Sequence, residues 1–146
     1  MFVKQDLQQL HFEKMMNEAN YGGIGSFRDF YLENSYGQLD ITTVVTRWVT
    51  LPYTKDYYGS ERAIEMIQNG LNILKDEIDL TEFDNDGDGV LDGLAVIHQG
   101  TGQEYSGAAN EIWSHSNIIY GMSFDGIQIR RYTIEPELLD YSGNMA

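Results

Sequence analysis

The chain has no cysteine. That excludes a disulfide framework and a thiolate zinc site, while leaving the compartment open. Proline is scarce, with two in 146 residues, and neither internal repeats nor a low-complexity tail is present. Cations are few: nine Lys and Arg stand against 23 Asp and Glu, a formal charge of −14. A surface of that sign repels phosphate, which argues against nucleic acid or an anionic membrane as a partner. No apolar run is long enough to cross a bilayer, so membrane insertion is not expected. The three histidines are His11, His98 and His115. A helical zinc site sets two histidines one turn apart, and no pair among them has that spacing.

What is present is a chain of one-domain length with ten tyrosines and enough apolar residues for a core. Its most distinctive stretch is Phe83-Asp84-Asn85-Asp86-Gly87-Asp88-Gly89-Val90-Leu91-Asp92-Gly93. Asp84, Asp86, Asp88 and Asp92 fall where a calcium loop places side-chain ligands. Val90 falls where the loop offers a backbone carbonyl, and Gly89 where it turns sharply. Crowded carboxylates repel one another, and a hard cation relieves this by taking roughly six to eight oxygens. The bland reading is a surface turn, since Asp, Asn and Gly turn well. The recurrence of Asp at every second position favours the metal.

The pattern leaves the EF-hand at its last ligand, where Ala95 replaces a bidentate glutamate. The run Leu94-Ala95-Val96-Ile97-His98 reads as a buried strand rather than an exiting helix. The expectation is a calcium loop that feeds a strand and draws its remaining ligand from elsewhere. A weak, asymmetric loop suits the calcium-rich exterior of cells, so the protein is expected to be secreted. Its export signal would lie upstream of Met1.

Periodicity organises the rest. Phe12, Met15, Met16 and Ala19 form an apolar stripe that predicts a helix over residues 5–20. Tyr21 to Gly25 make a flexible connection, and Ser26 to Asp29 match a capping box opening a second, short helix. That helix carries Phe27, Phe30 and Tyr31 on one face and closes at Gly37. Leu39, Ile41, Thr43, Val45, Val49 and Leu51 alternate at period two, which predicts one long bent strand or two strands over 39–51. Pro52 to Gly59 read as a loop. Ile64, Ile67, Leu71, Leu74 and Ile78 predict a helix over residues 60–78, with close packing at its interior Gly70. A Gly-rich segment follows over residues 99–109. Asp125-Gly126 between two extended runs is a hairpin signal. Ile127 and Ile129 alternate with Gln128 and Arg130, so one face there is expected to be wet. The chain is expected to leave the sheet at Pro136. The fold class is α+β: a mixed sheet with packed helices.

Outside the acidic loop, candidates for chemistry are sparse. His98 ends an apolar strand and reads as a hydrogen-bonded core histidine. His115, between Ser114 and Ser116, raises a nucleophile reading, but adjacency in sequence is not triad geometry. Glu111, Glu135 and Glu137 could serve acid–base work, as in a glycosidase-like hydrolase; the plainer reading is that one of them is a calcium ligand or a structural partner of an arginine. Gly100-Thr101-Gly102 is not a phosphate loop, because no Lys-Ser or Lys-Thr pair completes one.

Several stretches, in this order, resemble the immune inhibitor A family of secreted zinc metallopeptidases. They are Gly25-Ser26-Phe27-Arg28-Asp29-Phe30-Tyr31, Ser35-Tyr36-Gly37-Gln38-Leu39-Asp40, Phe83 to Asp92, His98-Gln99-Gly100, Ile112-Trp113-Ser114-His115 and Tyr132-Thr133-Ile134-Glu135-Pro136-Glu137. The resemblance implies a zincin-like catalytic domain that cleaves protein or peptide substrates with a zinc-bound water and uses calcium structurally. It also implies a zinc helix bearing H-E-x-x-H. That motif is not in these 146 residues, so no residue here is assigned as catalytic or as a zinc ligand. The expectation is a partial catalytic domain over residues 1–146, inactive as it stands, with the zinc helix encoded beyond Ala146. The alternative is a non-catalytic calcium-binding extracellular module on the same scaffold.

Overall fold

The structure is a computed structural model. It describes residues 3–145, with side chains from Gln8 onward. The chain divides into two compact units, Met1–Val49 and Thr50–Ala146.

In the first unit, helix α1 spans Val3–Asn17. It buries Phe12 and half-buries Met15 and Met16, as the stripe predicts. It ends three residues earlier than expected, leaving Ala19 exposed beyond it. The cause is local: Asn20 takes a left-handed φ of 56° and starts a 3-10 turn over Tyr21–Gly23, and an α-helix cannot continue through such a residue. Helix α2, Phe27–Asn34, carries the expected capping box. The Asp29 amide donates to Ser26 Oγ at 3.1 Å, and the Ser26 amide donates to Asp29 Oδ2 at 2.9 Å. Phe27 and Phe30 both pack on Tyr31, with ring centroids 4.7 and 5.2 Å apart, yet both stay exposed. Gly37 closes the helix at φ 78°, its amide donating to Leu32 O at 2.7 Å.

Residues 39–51 form no strand, contrary to the sequence expectation. The period-two alternation survives as burial: Ile41, Thr43 and Val45 are half-buried, while Thr42, Val44 and Thr46 are exposed. What is missing among the described residues is a neighbouring strand. Side-chain amides take its place. Asn17 accepts from the Thr43 amide at 2.8 Å and donates to the Thr43 carbonyl at 2.8 Å. Gln9 donates to the Val45 carbonyl at 2.9 Å. Alternation reports which face is buried, whereas a strand also requires a ladder partner.

The second unit opens with helix α3, Lys55–Tyr58, inside the stretch expected to be a loop. Thr54 caps it by accepting from the Tyr57 amide. Helix α4 spans Ala63–Leu74, shorter than the expected 60–78. Its buried face is Ala63, Met66, Ile67 and Leu74, while Ile64 is 42% exposed. Ile67 and Leu74 of the predicted stripe are buried and Leu71 and Ile78 pack half-buried on the core, so only its N-terminal end shifts, from Ile64 to Ala63 and Met66. Close packing at Gly70 is not found: a Cβ placed there would meet only Leu51 Cδ2 at 3.9 Å, an ordinary contact.

Strand β1, Ala95–Thr101, extends past the predicted strand. Helix α5, Gln103–Ser106, follows within the Gly-rich segment. Strand β2, His115–Ile118, starts at His115. The Asp125-Gly126 turn joins β3, Ser123–Phe124, to β4, Ile127–Gln128. Asp125 and Gly126 have φ of 53° and 83°, the conformation a tight hairpin demands. Ile127 and Ile129 are buried, and Gln128 and Arg130 exposed, as the alternation predicts.

Strand β5, Arg131–Leu138, is the centre of a three-stranded sheet of order β1-β5-β2. It runs parallel to β1 and antiparallel to β2. A single sheet was expected, but β3 and β4 form a separate two-stranded one. The chain also does not leave the sheet at Pro136, which pairs with His98 of β1. Pairing with β2 runs only from Arg131 to Ile134, so Pro136 lies where one side of β5 is free and its missing N–H interrupts no ladder. Packed against these strands is one apolar cluster containing Tyr58, Met66, Ile67, Ile112, Ile119, Ile129 and Ile134.

Candidate functional site

A 3-10 turn over Leu80–Phe83 delivers the chain into the acidic loop. Asp84, Asp86 and Asp88 each offer a carboxylate oxygen, and these oxygens lie within 4.8 Å of one another. Asp84 is half-buried; the other two are exposed. The loop folds around the Asp84 carboxylate, which accepts from the Asp88 amide at 3.0 Å and the Gly89 amide at 2.9 Å. Asp88 in turn accepts from the Val90 amide at 2.8 Å. Gly87 and Gly89 take φ of 72° and 78°, the left-handed turns that let successive aspartates face inward. The sharp turn expected at Gly89 is therefore present.

Val90 and Asp92 sit differently from the three gathered aspartates. Val90 forms a parallel bridge with Gln128 of β4. The Leu91 amide donates to the Gln128 carbonyl at 2.9 Å, and the Gln128 amide donates to Gly89 O at 2.8 Å. Asp92 is turned toward Asn85, accepting from its side-chain and backbone nitrogens at 2.5 and 3.1 Å. Those two bonds hold the Asp92 carboxyl below the usual carboxylate range. Ala95, where a last carboxylate would stand, opens β1. The donor set is all oxygen, which suits a hard cation and not a soft one.

A second polar group lies around β1. His98 is 6% exposed, and its Nδ1 lies 3.2 Å from the Gln99 carbonyl. Lys55 of α3 donates to Glu111 Oε1 at 2.9 Å and to the Thr101 carbonyl at 3.0 Å. Glu104 of α5 holds the hydroxyl and amide of Ser114. The buried Glu137 accepts from the Gly100 amide at 3.1 Å. Burial pushes Glu111 up, but hydrogen bonds from Lys55 and Ser106 and the nearby Lys55 charge together hold the carboxyl below its ordinary value. Sequence reasoning names His98, Glu111 and Glu137 singly and misses Lys55 and Glu104. No spacing could have found them, since Lys55 and Glu111 are 56 positions apart.

These contacts answer the catalytic readings of the histidines and glutamates. His115 Nδ1 lies 2.6 Å from the Trp113 carbonyl, so it donates there, and Nε2 accepts from the Tyr132 hydroxyl at 2.8 Å. Both ring nitrogens are engaged, and Ser114 is bonded to Glu104, so no serine–histidine pair is assembled. Glu111 and Glu137 are tied to Lys55 and Gly100 rather than aimed together. For zinc, the residues present do not fit. His11 bonds Tyr21 in the first unit. Among the described residues, the aspartates alone gather as a group of three or more His, Asp or Glu ligands.

Sequence comparison supplies the class of protein, which the geometry leaves open: residues 1–137 match the catalytic domain of a peptidase. The family is the immune inhibitor A peptidase M6 family, and this chain belongs to it. A curated relative, Immune inhibitor A of Bacillus thuringiensis subsp. alesti, is 28% identical over 184 aligned positions, covering 91% of this chain and 26% of the relative. The chain thus spans about a quarter of the length of that relative. The family read from the ordered motifs is the family found. No helix among the described residues is long and apolar enough to cross a membrane.

Proposed function

We propose that residues 1–146 are part of the zincin-like catalytic domain of a secreted zinc endopeptidase that cleaves protein or peptide substrates. The observation that carries this reading is the family match over residues 1–137. The chain contributes scaffold: the zinc pair of an H-E-x-x-H helix is not among its residues. On this reading Asp84, Asp86, Asp88, Asp92 and the Val90 carbonyl form a structural calcium loop. Its support is the gathering of three carboxylates around left-handed glycines. Asp92 would have to exchange its bond to Asn85 for the ion. Without a glutamate at the last position, affinity falls in the range of about micromolar to millimolar.

A melt with calcium, magnesium or chelator, on the native chain and on Asp86→Ala, tests the loop. Calcium at a hundredfold excess over Kd adds about 2.7 kcal/mol of stability. Magnesium substitutes poorly because it requires a compact octahedron, and Asp86→Ala loses the calcium response. A melting temperature indifferent to calcium would reduce the aspartates to a solvated turn. For the peptidase reading, the full-length polypeptide should hydrolyse casein with zinc and lose that activity on chelation. The 146-residue chain alone should show none; zinc-dependent hydrolysis by it would overturn the scaffold assignment.

A further inference from the structure

The polar group around β1 contains an atom that nothing so far explains. His98 is 6% exposed, and its Nε2 is fully buried with no hydrogen-bond partner among the described residues. A carbonyl oxygen only accepts, so the Nδ1 that faces Gln99 O must carry the ring proton. Nε2 is then a bare lone pair sealed inside the protein. Such an atom is inexpensive to bury while neutral, and costly once protonated.

Charged groups surround this end of β1, and Lys55, Glu104 and Glu111 act on the ring. Lys55 comes from α3, Glu104 from α5, Glu111 from the segment before β2, and Glu137 from β5, where Glu135 is exposed. Most of the carboxylate oxygens are already engaged. Glu111 Oε1 takes the Lys55 ammonium, Glu104 takes Ser114, and Glu137 takes the Gly100 amide. Lys55 thereby clamps the connection over residues 102–114 to the end of β1, bridging Glu111 Oε1 and the Thr101 carbonyl. A proton arriving at Nε2 places a second cation beside Lys55, in the seam that holds the connection down.

We propose that His98 is an acid-sensitive latch: as the neutral ring it leaves the Lys55 clamp between β1 and the 102–114 connection undisturbed, and when protonated it loosens that clamp and releases the connection. Burial, and after it the Lys55 ammonium, holds the imidazole below its ordinary pKa of 6.5, against the pull of the Gln99 carbonyl and of Glu104 and Glu111. The sign follows from proton linkage. Above pH 6.5 the latch is at full strength. As pH falls below that value the unfolded or opened chain takes up a proton that the closed form refuses, so opening becomes easier until the pH reaches the lowered value.

The test is NMR on the 146-residue chain from about pH 7.5 to about pH 5, a range above that in which ordinary carboxylates titrate. The expected result is the Nδ1–H tautomer of His98 at high pH and a titration midpoint below 6.5. Amide exchange over residues 102–114, corrected for intrinsic rates, should quicken by about tenfold or more on acidification. His98→Asn keeps a donor near the Nδ1 position but cannot titrate, so its connection should lose the acid response. An Nε2–H tautomer, or a midpoint above 6.5, would overturn the proposal. The second outcome is what capture of the protonated ring by Glu111 Oε2, the other buried atom without a hydrogen-bond partner among the described residues, would produce. An undiminished acid response in His98→Asn would overturn it as well. If that variant fails to fold, the tautomer and midpoint of the native chain decide.

Discussion

The two units are held by different forces. Residues 50–146 enclose a contiguous apolar cluster in which Ile112 and Ile134 have no exposed surface. The described part of residues 1–49 buries only Phe12 and Ser26. It relies instead on directional bonds: Asn17 and Gln9 to the 43–45 backbone, the Ser26–Asp29 box, and the Arg28–Asp40 ion pair. Fully burying an isoleucine is worth about 1.5–3 kcal/mol. A typical intramolecular hydrogen bond contributes about 0.5–1.5 kcal/mol net, and an exposed ion pair about 0–1. The first unit should therefore open locally well before the second. The difference teaches that a segment can be ordered without a sheet, but only weakly.

The largest expected effect tests the strong side of this comparison. Ile134 sits in the middle of β5 with no exposed surface. Ile134→Ala should cost about 2–5 kcal/mol, because the cavity cannot collapse against strands on both sides. Urea unfolding followed by circular dichroism measures it. A loss under about 1 kcal/mol would mean that the apolar cluster is loosely packed and the contrast overstated.

A smaller effect is expected on the weak side. Asn17→Ala removes both bonds to Thr43 and one to Glu13 O. The cost should be about 1–2 kcal/mol, with part of it the unsatisfied Thr43 backbone. Trp48 lies edge-on to Phe12 with ring centroids 6.2 Å apart, so its fluorescence in a Trp113→Phe background reports on this unit. Hydrogen exchange should rise over residues 41–46 and stay unchanged in β1 and β5. Equal changes in both regions would show that the two units unfold as one.

The same contrast explains what could be read from the sequence. Features fixed by neighbours in the chain were legible: the Ser26–Asp29 box, the Asp125-Gly126 turn, the β1 run and the inward aspartates of the acidic loop. Features fixed by a distant partner were not. The 39–51 alternation gave the correct half-buried face over residues 41–46, though not at the exposed Leu39, and could not report that no strand lies beside it. Pro136 signals the end of a strand unless its missing N–H falls at a vacant edge, and where β2 stops is not written near residue 136. At the acidic loop, spacing gathers Asp84, Asp86 and Asp88, but Asp92 is claimed by Asn85, a competitor inside the same motif. The Lys55–His98–Glu111 seam is assembled only when α3, β1 and the segment before β2 come together.

The smallest expected effect sharpens the comparison through two glycines. Gly70 is half-buried inside α4, and a Cβ there would meet only Leu51 Cδ2 at 3.9 Å. Its backbone is helical, so alanine fits without strain. Gly70→Ala should stabilise by about 0.5–1 kcal/mol, through helix propensity and a less flexible unfolded chain. Gly37, in the first unit, has open space around it but a φ of +78°. There alanine must enter the left-handed region, and Gly37→Ala should destabilise by about 1–2 kcal/mol. Space alone thus predicts the wrong order, because the roomier site is the one that resists the methyl group. Thermal melts of the two variants, read by Trp113 for Gly70→Ala and by Trp48 for Gly37→Ala, should shift in opposite directions. A destabilising Gly70→Ala would mean that α4 packs more tightly than a 3.9 Å contact implies. A neutral Gly37→Ala would mean that the turn closing α2 contributes nothing to the unit that depends most on local bonds.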